Sequence, residues 1–114
     1  MNKANAPEGK PALYAGNVTY MDYLVGKLVA AVDELGLKEK TLIVFTGDNG
    51  SASSGTLNGE PYPKGKGRQA DWGVHIPFIV RAPFLNKGGV VSRDLIDFTD
   101  LYPTFLDLAG VTPP

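Results

Sequence analysis

The residues best suited to chemistry are Asp48 and Asn49, which close the stretch T-L-I-V-F-T-G-D-N-G from Thr41 to Gly50. A carboxylate beside an amide carbonyl offers hard oxygen donors, the kind that Ca²⁺ or Mg²⁺ prefers, and Gly50 lets the backbone turn sharply away from a cation. The commoner use of such a pair is an Asx-turn, in which the side chain bonds its own backbone. Both uses fit these residues. Lys66, further along in a glycine-rich stretch, could fold back to set an ammonium near an anion held by the cation. Most loop lysines are simply solvated.

The elements that must position these residues follow from periodicity. Thr41 to Thr46 is a continuous β-branched and aromatic run of strand length, suited to burial on both faces. Before it, Val18, Met21, Val25, Leu28, Val32 and Leu35 recur at spacings of three and four, which predicts an amphipathic helix from about Leu13 to Leu35 closed by Gly36. Gly26 within that helix points to close approach of another backbone. A helix running into a buried strand is half of a βαβ repeat. The expected fold class is α/β, part of a mostly parallel sheet flanked by helices, whose ligands bind beyond the carboxyl ends of the strands.

Residues 47–73 read as one long glycine-rich loop, and long loops in compact domains are usually functional. A second apolar strand is expected over Ile76 to Pro83, then a turn at 86–89 and a short strand at Val90-Val91. Asp97 to Ala109 reads as a helix with Thr99 as N-cap and Pro103 in its first turn. Leu101, Phe105 and Leu108 share one face, and Gly110 ends it. The polar residues 1–11 read as a linker or flexible lead-in, and 12–114 as the folded part.

Composition narrows the function classes. Hydrophobic residues at 43% and charged residues at 20% describe a folded protein and not a disordered tail. Eleven basic and twelve acidic side chains, interspersed, give a net charge of −1, which disfavours nucleic acid as a partner. No apolar run approaches the roughly 20 residues of a membrane span, and the first residues carry no secretion signal. Without cysteine there is no disulfide, thiolate site or cysteine nucleophile.

Other motifs carry less. Gly65 to Ala70 matches G-x-G-x-x-A, but no strand leads into it. The segment D-N-G-S-A-S lacks the ligands of a calcium-binding helix-loop-helix. His75 alone makes no zinc site and is read as a structural residue at a strand start. Ser51, Ser53 and Ser54 have no nearby base, and the sequon at Asn17 falls inside the expected helix.

Taken in order, four blocks resemble the sulfatase family of the alkaline-phosphatase superfamily, from about Tyr14 to Gly110. Tyr14 to Gly26 is similar to the family's Y-x-A-x-V-x-x-M-D-x-x-V-G. Thr41 to Gly50 resembles T-L-V-I-F-T-S-D-N-G with Gly47 for Ser. Lys66 to Pro77 keeps the spacing of K-G-x-x-x-E-G-G-x-R-V-P, and Asp100 to Gly110 matches D-L-x-P-T-L-L-D-L-A-G.

The resemblance implies a later segment of a sulfatase catalytic domain of alkaline-phosphatase-like fold. Asp48 and Asn49 would then be ligands of a divalent cation, typically Ca²⁺ with Mg²⁺ as the alternative. Lys66 would be the catalytic, sulfate-binding lysine, with Lys64 as its substitute if the loop register shifts by two. Where the family has Glu-Gly-Gly-x-Arg, this chain has Asp71-Trp72-Gly73-Val74-His75, a departure that bears on loop conformation and substrate fit. Trp72 could line the substrate cleft or anchor the loop.

The family's nucleophile is a formylglycine made from a C/S-x-P-x-R motif, and these 114 residues contain none. The resemblance therefore implies that Met1 opens partway through the domain, that formylglycine lies upstream, and that this segment alone is inactive. Expected partners are a sulfated small molecule or glycan in the intact enzyme, without nucleic acid or membrane, together with self-association of the segment. A periplasmic or secreted location is plausible for the intact protein. Two alternatives stand beside this reading: a phosphoester or phosphonate hydrolase of the same superfamily, and a non-catalytic α/β module.

Overall fold

The computed structural model describes residues 10–85 and 88–112. Helix α1 (Lys10–Glu34) forms as expected, but of its apolar stripe only Val25 and Val32 are half-buried, joined by Val29, while Val18, Met21 and Leu28 are exposed. It takes in Lys10 and Pro11, where a proline is tolerated in the first turn, and the rest of the expected lead-in lies outside the described residues. Gly36 ends the helix at φ 69°, and the Leu37 and Gly36 N–H groups donate to the Val32 and Asp33 carbonyls at 3.0 Å each. This paired closure needs a left-handed residue, which glycine adopts without strain. Gly26 does not meet another backbone as expected, for a Cβ there would find nothing within 4 Å. It is exposed, off the face that α1 turns toward the sheet.

Strands β1 (Ile43–Thr46) and β4 (Phe78–Arg81) form the main sheet, and residues 55–62 form a hairpin of β2 (Gly55–Leu57) and β3 (Glu60–Tyr62). The expected parallel sheet is not what the described residues make. β1 pairs β4 antiparallel, with Ile43 opposite Arg81 and Thr46 opposite Phe78. The cause is the connection. A parallel crossover needs a helix long enough to carry the chain back along the strand, and the one helix between them, α2 (Asp71–Val74), is a single turn of about 6 Å. The 47–77 segment thus leaves and re-enters at one end of the sheet, where Gly47 N–H donates to the Pro77 carbonyl at 3.3 Å.

Two further expectations change. Residues 47–73 are not one loop, because Asn58 (φ 53°) and Gly59 (φ 86°) form a two-residue turn that closes the hairpin. Both central residues at positive φ match the twist of the flanking strands. Val90-Val91 forms no strand and both residues are exposed, and of the expected turn at 86–89 only Gly88 and Gly89 lie among the described residues, both at positive φ.

Helix α3 (Leu101–Leu108) follows a short 3₁₀ turn at Phe98–Asp100. Asp97 and not Thr99 caps this unit. Its carboxylate accepts from the Thr99 N–H and hydroxyl at 2.8 Å each, while Asp100 accepts from the Asp97 N–H at 2.8 Å. Thr99 is already one residue inside the turn, so its own N–H is the group that needs an acceptor. These bonds, that from the Thr99 N–H foremost, lower the Asp97 pKa below its ordinary value. A group depressed in the folded state contributes stability that is present above its unfolded pKa and lost as pH falls through the folded one. Thr99 amide exchange is therefore expected to quicken, beyond its intrinsic pH dependence, only as acidification passes below the usual carboxylate range of about 4.

The two sheet faces carry different helices. Ile43, Phe45, Ile79 and Arg81 share one face, and Arg81 reaches across to Asp33 of α1 through two hydrogen bonds of 2.7 and 2.9 Å. Val44, Phe78 and Val80 line the other, facing Leu101, Phe105 and Leu108 of α3 across a gap of about 260 Å³. Helices thus lie toward both faces of the sheet, but with antiparallel pairs alone the described residues do not by themselves make the expected α/β class.

The core between these layers is thin. Ala82 is the one fully buried hydrophobic side chain among the described residues. The chain exposes 9779 Å², against about 6,000 Å² for a compact monomer of 114 residues. Leu13, Tyr14, Leu24 and Leu28 on α1 are all exposed, so the apolar stripe runs on past what the sheet covers. Among the described residues no helix is long and apolar enough to cross a membrane.

Candidate functional site

Asp48 and Asn49 stand where the strand run ends. Thr46 Oγ1 donates to the Gly47 carbonyl at 3.1 Å, and the Gly47 bond to Pro77 ties off the sheet one residue before Asp48. Asp48 is exposed and Asn49 half-buried. The Asn49 amide nitrogen donates to the Gly50 carbonyl at 2.9 Å, which engages the nitrogen and leaves the amide oxygen as an acceptor. Among the described residues neither side-chain oxygen accepts a backbone N–H, so the Asx-turn is not formed. The hard oxygens of both side chains remain available at the strand end.

Three buried glycines then bring distant segments together. Gly50 N–H donates to the Gly73 carbonyl at 3.0 Å, and the Gly65 and Lys66 N–H groups both donate to the Ser51 carbonyl at 3.0 Å. Arg68 N–H returns to the Gly65 carbonyl at 2.9 Å, and Gly73 N–H to the Ala70 carbonyl at 2.7 Å. Backbone packs on backbone here. A Cβ on Gly50 or Gly65 would overlap the Trp72 carbonyl oxygen, and one on Gly73 would overlap the Arg68 carbonyl oxygen. Glycine at these positions is demanded by close approach, since none of the three has positive φ.

The junction decides which candidate residues meet. Lys66 is held by its backbone to Ser51, two positions beyond Asn49, while its side chain is exposed. Lys64, its substitute, is exposed and lies before the pinned pair, without that tie. Trp72 is half-buried on α2, and its carbonyl is the atom wedged against Gly50 and Gly65. His75 does not begin a strand. It caps α2, its N–H donating to the Asp71 carbonyl at 2.7 Å, and β4 starts three residues later. The His75 Nδ1 and Asp71 Oδ1 atoms are 3.5 Å apart with both side chains largely exposed, an arrangement worth little to stability.

For a cation, the donor chemistry fits in part. Asp48 and Asn49 supply at most three side-chain oxygens, whereas Ca²⁺ takes six to eight, and no group of three or more His, Cys, Asp or Glu side chains converges among the described residues. Sequence reasoning missed two features near this site. One is the hairpin, signalled by Asn58-Gly59. The other is a groove of about 320 Å³ between the hairpin and the Ile76-Pro77 segment.

The sequence profile of the sulfatase family matches residues 2–111. The chain is 35% identical over 114 residues to the steryl-sulfatase of Mus musculus, an alignment covering 89% of this chain and 18% of that protein. It is 36% identical over 106 residues to the N-acetylgalactosamine-6-sulfatase of Mus musculus, covering 89% and 20%. To arylsulfatase H of Homo sapiens it is 36% identical over 107 residues, covering 85% and 19%. The chain thus spans about a fifth of the length of the curated relatives it matches. No solved structure matches it. With the profile running through the strand end, the glycine junction and helices α1 and α3, the chain belongs to the sulfatase family.

Proposed function

We propose that this chain contributes to a sulfuric ester hydrolase part of a divalent-cation site, through Asp48 and Asn49, and a sulfate-binding ammonium, through Lys66. The observation that carries the reading is the glycine junction, which fixes the backbone of Lys66 beside the strand end that bears the oxygen donors. Asp48 brings the negative charge. Asn49, its amide held by the Gly50 carbonyl, presents a neutral oxygen beside it. Ca²⁺, when bound, would neutralise charge developing on the sulfuryl oxygens. Lys66 would do the same from the opposite strand of the junction, as a compact charge with three donors for an anion's oxygens. Trp72, next to the junction, could offer a ring to the organic half of the ester.

The nucleophile belongs outside these residues. No C/S-x-P-x-R motif occurs in the 114, so a formylglycine of the family's kind has to be supplied from elsewhere. The relatives' names include steryl, aryl and amino-sugar sulfatases, and a sulfate ester of an organic alcohol is the shared substrate class. Titration calorimetry of the chain with Ca²⁺ tests the cation half. The expected result is weak binding, with Kd of about 10⁻⁴–10⁻³ M for an incomplete ligand set, and its loss in Asp48→Ala. The same chain is expected not to hydrolyse 4-nitrophenyl sulfate, and turnover by the 114 residues alone would show that the roles are wrongly divided.

A further inference from the structure

The chain holds two Asn-Gly pairs, Asn49-Gly50 at the strand end and Asn58-Gly59 in the hairpin turn. Asparagine before glycine is prone to deamidation, because glycine has no Cβ to keep its backbone nitrogen away from the asparagine side chain. The glycine nitrogen bonds to the asparagine Cγ as the Cγ–Nδ2 bond breaks, and ammonia leaves with the amide proton. Water then opens the resulting succinimide ring at either carbonyl, giving Asp or isoAsp without any change of oxidation state. The reaction asks two things of the fold. The glycine N–H must be free for base to remove, and the backbone must have room to swing that nitrogen onto Cγ.

The two pairs differ on both counts. At the turn, Asn58 and Gly59 are exposed, and the Gly59 N–H meets no acceptor among the described residues. The hairpin that carries them is a two-stranded sheet of three-residue strands, and a ribbon of that size is marginal in water, so the turn opens readily. At the strand end, Gly50 is buried and its N–H donates to the Gly73 carbonyl at 3.0 Å. Backbone of Trp72 and Gly73 closes over it, with Gly73 Cα 3.0 Å from where a Cβ would stand. The Asn49 Nδ2 atom, which would have to leave, donates to the Gly50 carbonyl at 2.9 Å. Attack on Asn49 must first break a buried backbone bond and part the junction.

We infer that Asn58 is a site of spontaneous deamidation, and that the glycine junction shields Asn49 from the same reaction. The contrast depends on backbone geometry and stands whether or not Asn49 holds a cation. Its consequences differ by place. Asp before glycine still suits the two-residue turn, whereas isoAsp lengthens the backbone by a methylene and takes β2 and β3 out of register. At Asn49 either product would change the oxygen donors beside Asp48, and the junction prevents it.

The test is to age the 114-residue chain in warm, mildly alkaline buffer and follow both positions by fragmentation mass spectrometry that tells Asn, Asp and isoAsp apart. Asn58 is expected to convert at least about tenfold faster than Asn49, the factor set by opening a buried hydrogen bond. In guanidinium chloride, where the fold is lost, the two rates should agree to within about threefold, since glycine follows both. Gly65→Ala, which parts the junction, should quicken Asn49 by about fivefold or more and leave Asn58 unchanged. Equal rates in the native chain, or no conversion at Asn58, overturn the inference. An Asn49 that stays slow in guanidinium chloride does so too, because the contrast would then come from neighbouring residues and not from the fold. An unaltered Asn49 rate in a Gly65→Ala chain whose Lys66 amide exchange has quickened would take the shielding away from the junction.

Discussion

Gly65→Ala is expected to weaken binding of Ca²⁺ and sulfate together, although the added methyl lies in neither site. The new Cβ would overlap the Trp72 carbonyl oxygen and come within 3.1 Å of Gly50 Cα. Both are backbone atoms, so no side-chain rotation relieves the clash. The segment must part from the strand end, breaking the Gly65 and Lys66 N–H bonds to the Ser51 carbonyl. Overpacking costs typically about 1–3 kcal/mol, and each backbone bond given up to water adds about 1 kcal/mol. Little else among the described residues holds this segment down, so separation is expected to be local and not a global unfolding. Amide exchange at Lys66 should accelerate by about tenfold or more, while exchange within β1 stays near its original rate. Gly55→Ala is the control, because a Cβ there meets nothing within 4 Å. Retained protection at Lys66 in Gly65→Ala would mean that the junction does not position the lysine.

That contrast between glycines shows what the sequence can and cannot reveal. Gly36 and Gly110 were legible as helix ends, because a glycine following a spent apolar stripe has a local meaning. Gly50 was read as a sharp turn beside a cation, and Gly65 and Gly73 carried no packing signal, since what requires all three is backbone remote in sequence. The positions of β1 and β4 followed from their apolar runs, and those of α1 and α3 from periodicity, to within a few residues, whereas β1, expected to be buried on both faces, is half-buried throughout. The direction of β4 against β1 did not follow. A strand's pattern states which residues share a face and says nothing of which way its neighbour runs, and that was set by the brevity of α2. Asn58-Gly59 was a readable hairpin signal passed over within a glycine-rich stretch. Of the two capping candidates, Asp97 and Thr99, the choice turned on where the first turn starts, which periodicity leaves uncertain by about two residues. Membership of the sulfatase family implies an alkaline-phosphatase-like α/β fold, whereas the described residues themselves pair only antiparallel strands. Asp48 and Asn49 were placed by the end of the apolar run, but their nearness to Lys66 hangs on one carbonyl, that of Ser51.

In a sulfatase that carries these residues together with its nucleophile, Asp48→Ala and Lys66→Ala are expected to fail in different ways. On the proposed roles Asp48 supplies the charged ligand, so its loss should remove Ca²⁺ and with it measurable turnover, and excess Ca²⁺ should restore part of the activity. Lys66, on the same proposal, contributes a charge and no metal contact. Its truncation should leave Ca²⁺ stoichiometry intact while kcat falls about 10²–10³-fold, the scale on which a single preorganised donor to a developing oxyanion acts. Lys66→Arg should recover only part of that loss, because a planar fork cannot occupy the place of a compact ammonium at the same distance. The companion variant is Lys64→Ala. Both lysines are exposed, but only Lys66 has its backbone tied to Ser51, so removing Lys64 is expected to change kcat by less than about threefold. A large loss at Lys64 with a small one at Lys66 would shift the sulfate-binding role by two residues. Equal and small effects at both would mean that the anion is held by the cation alone, and that the junction serves only to shape the cleft.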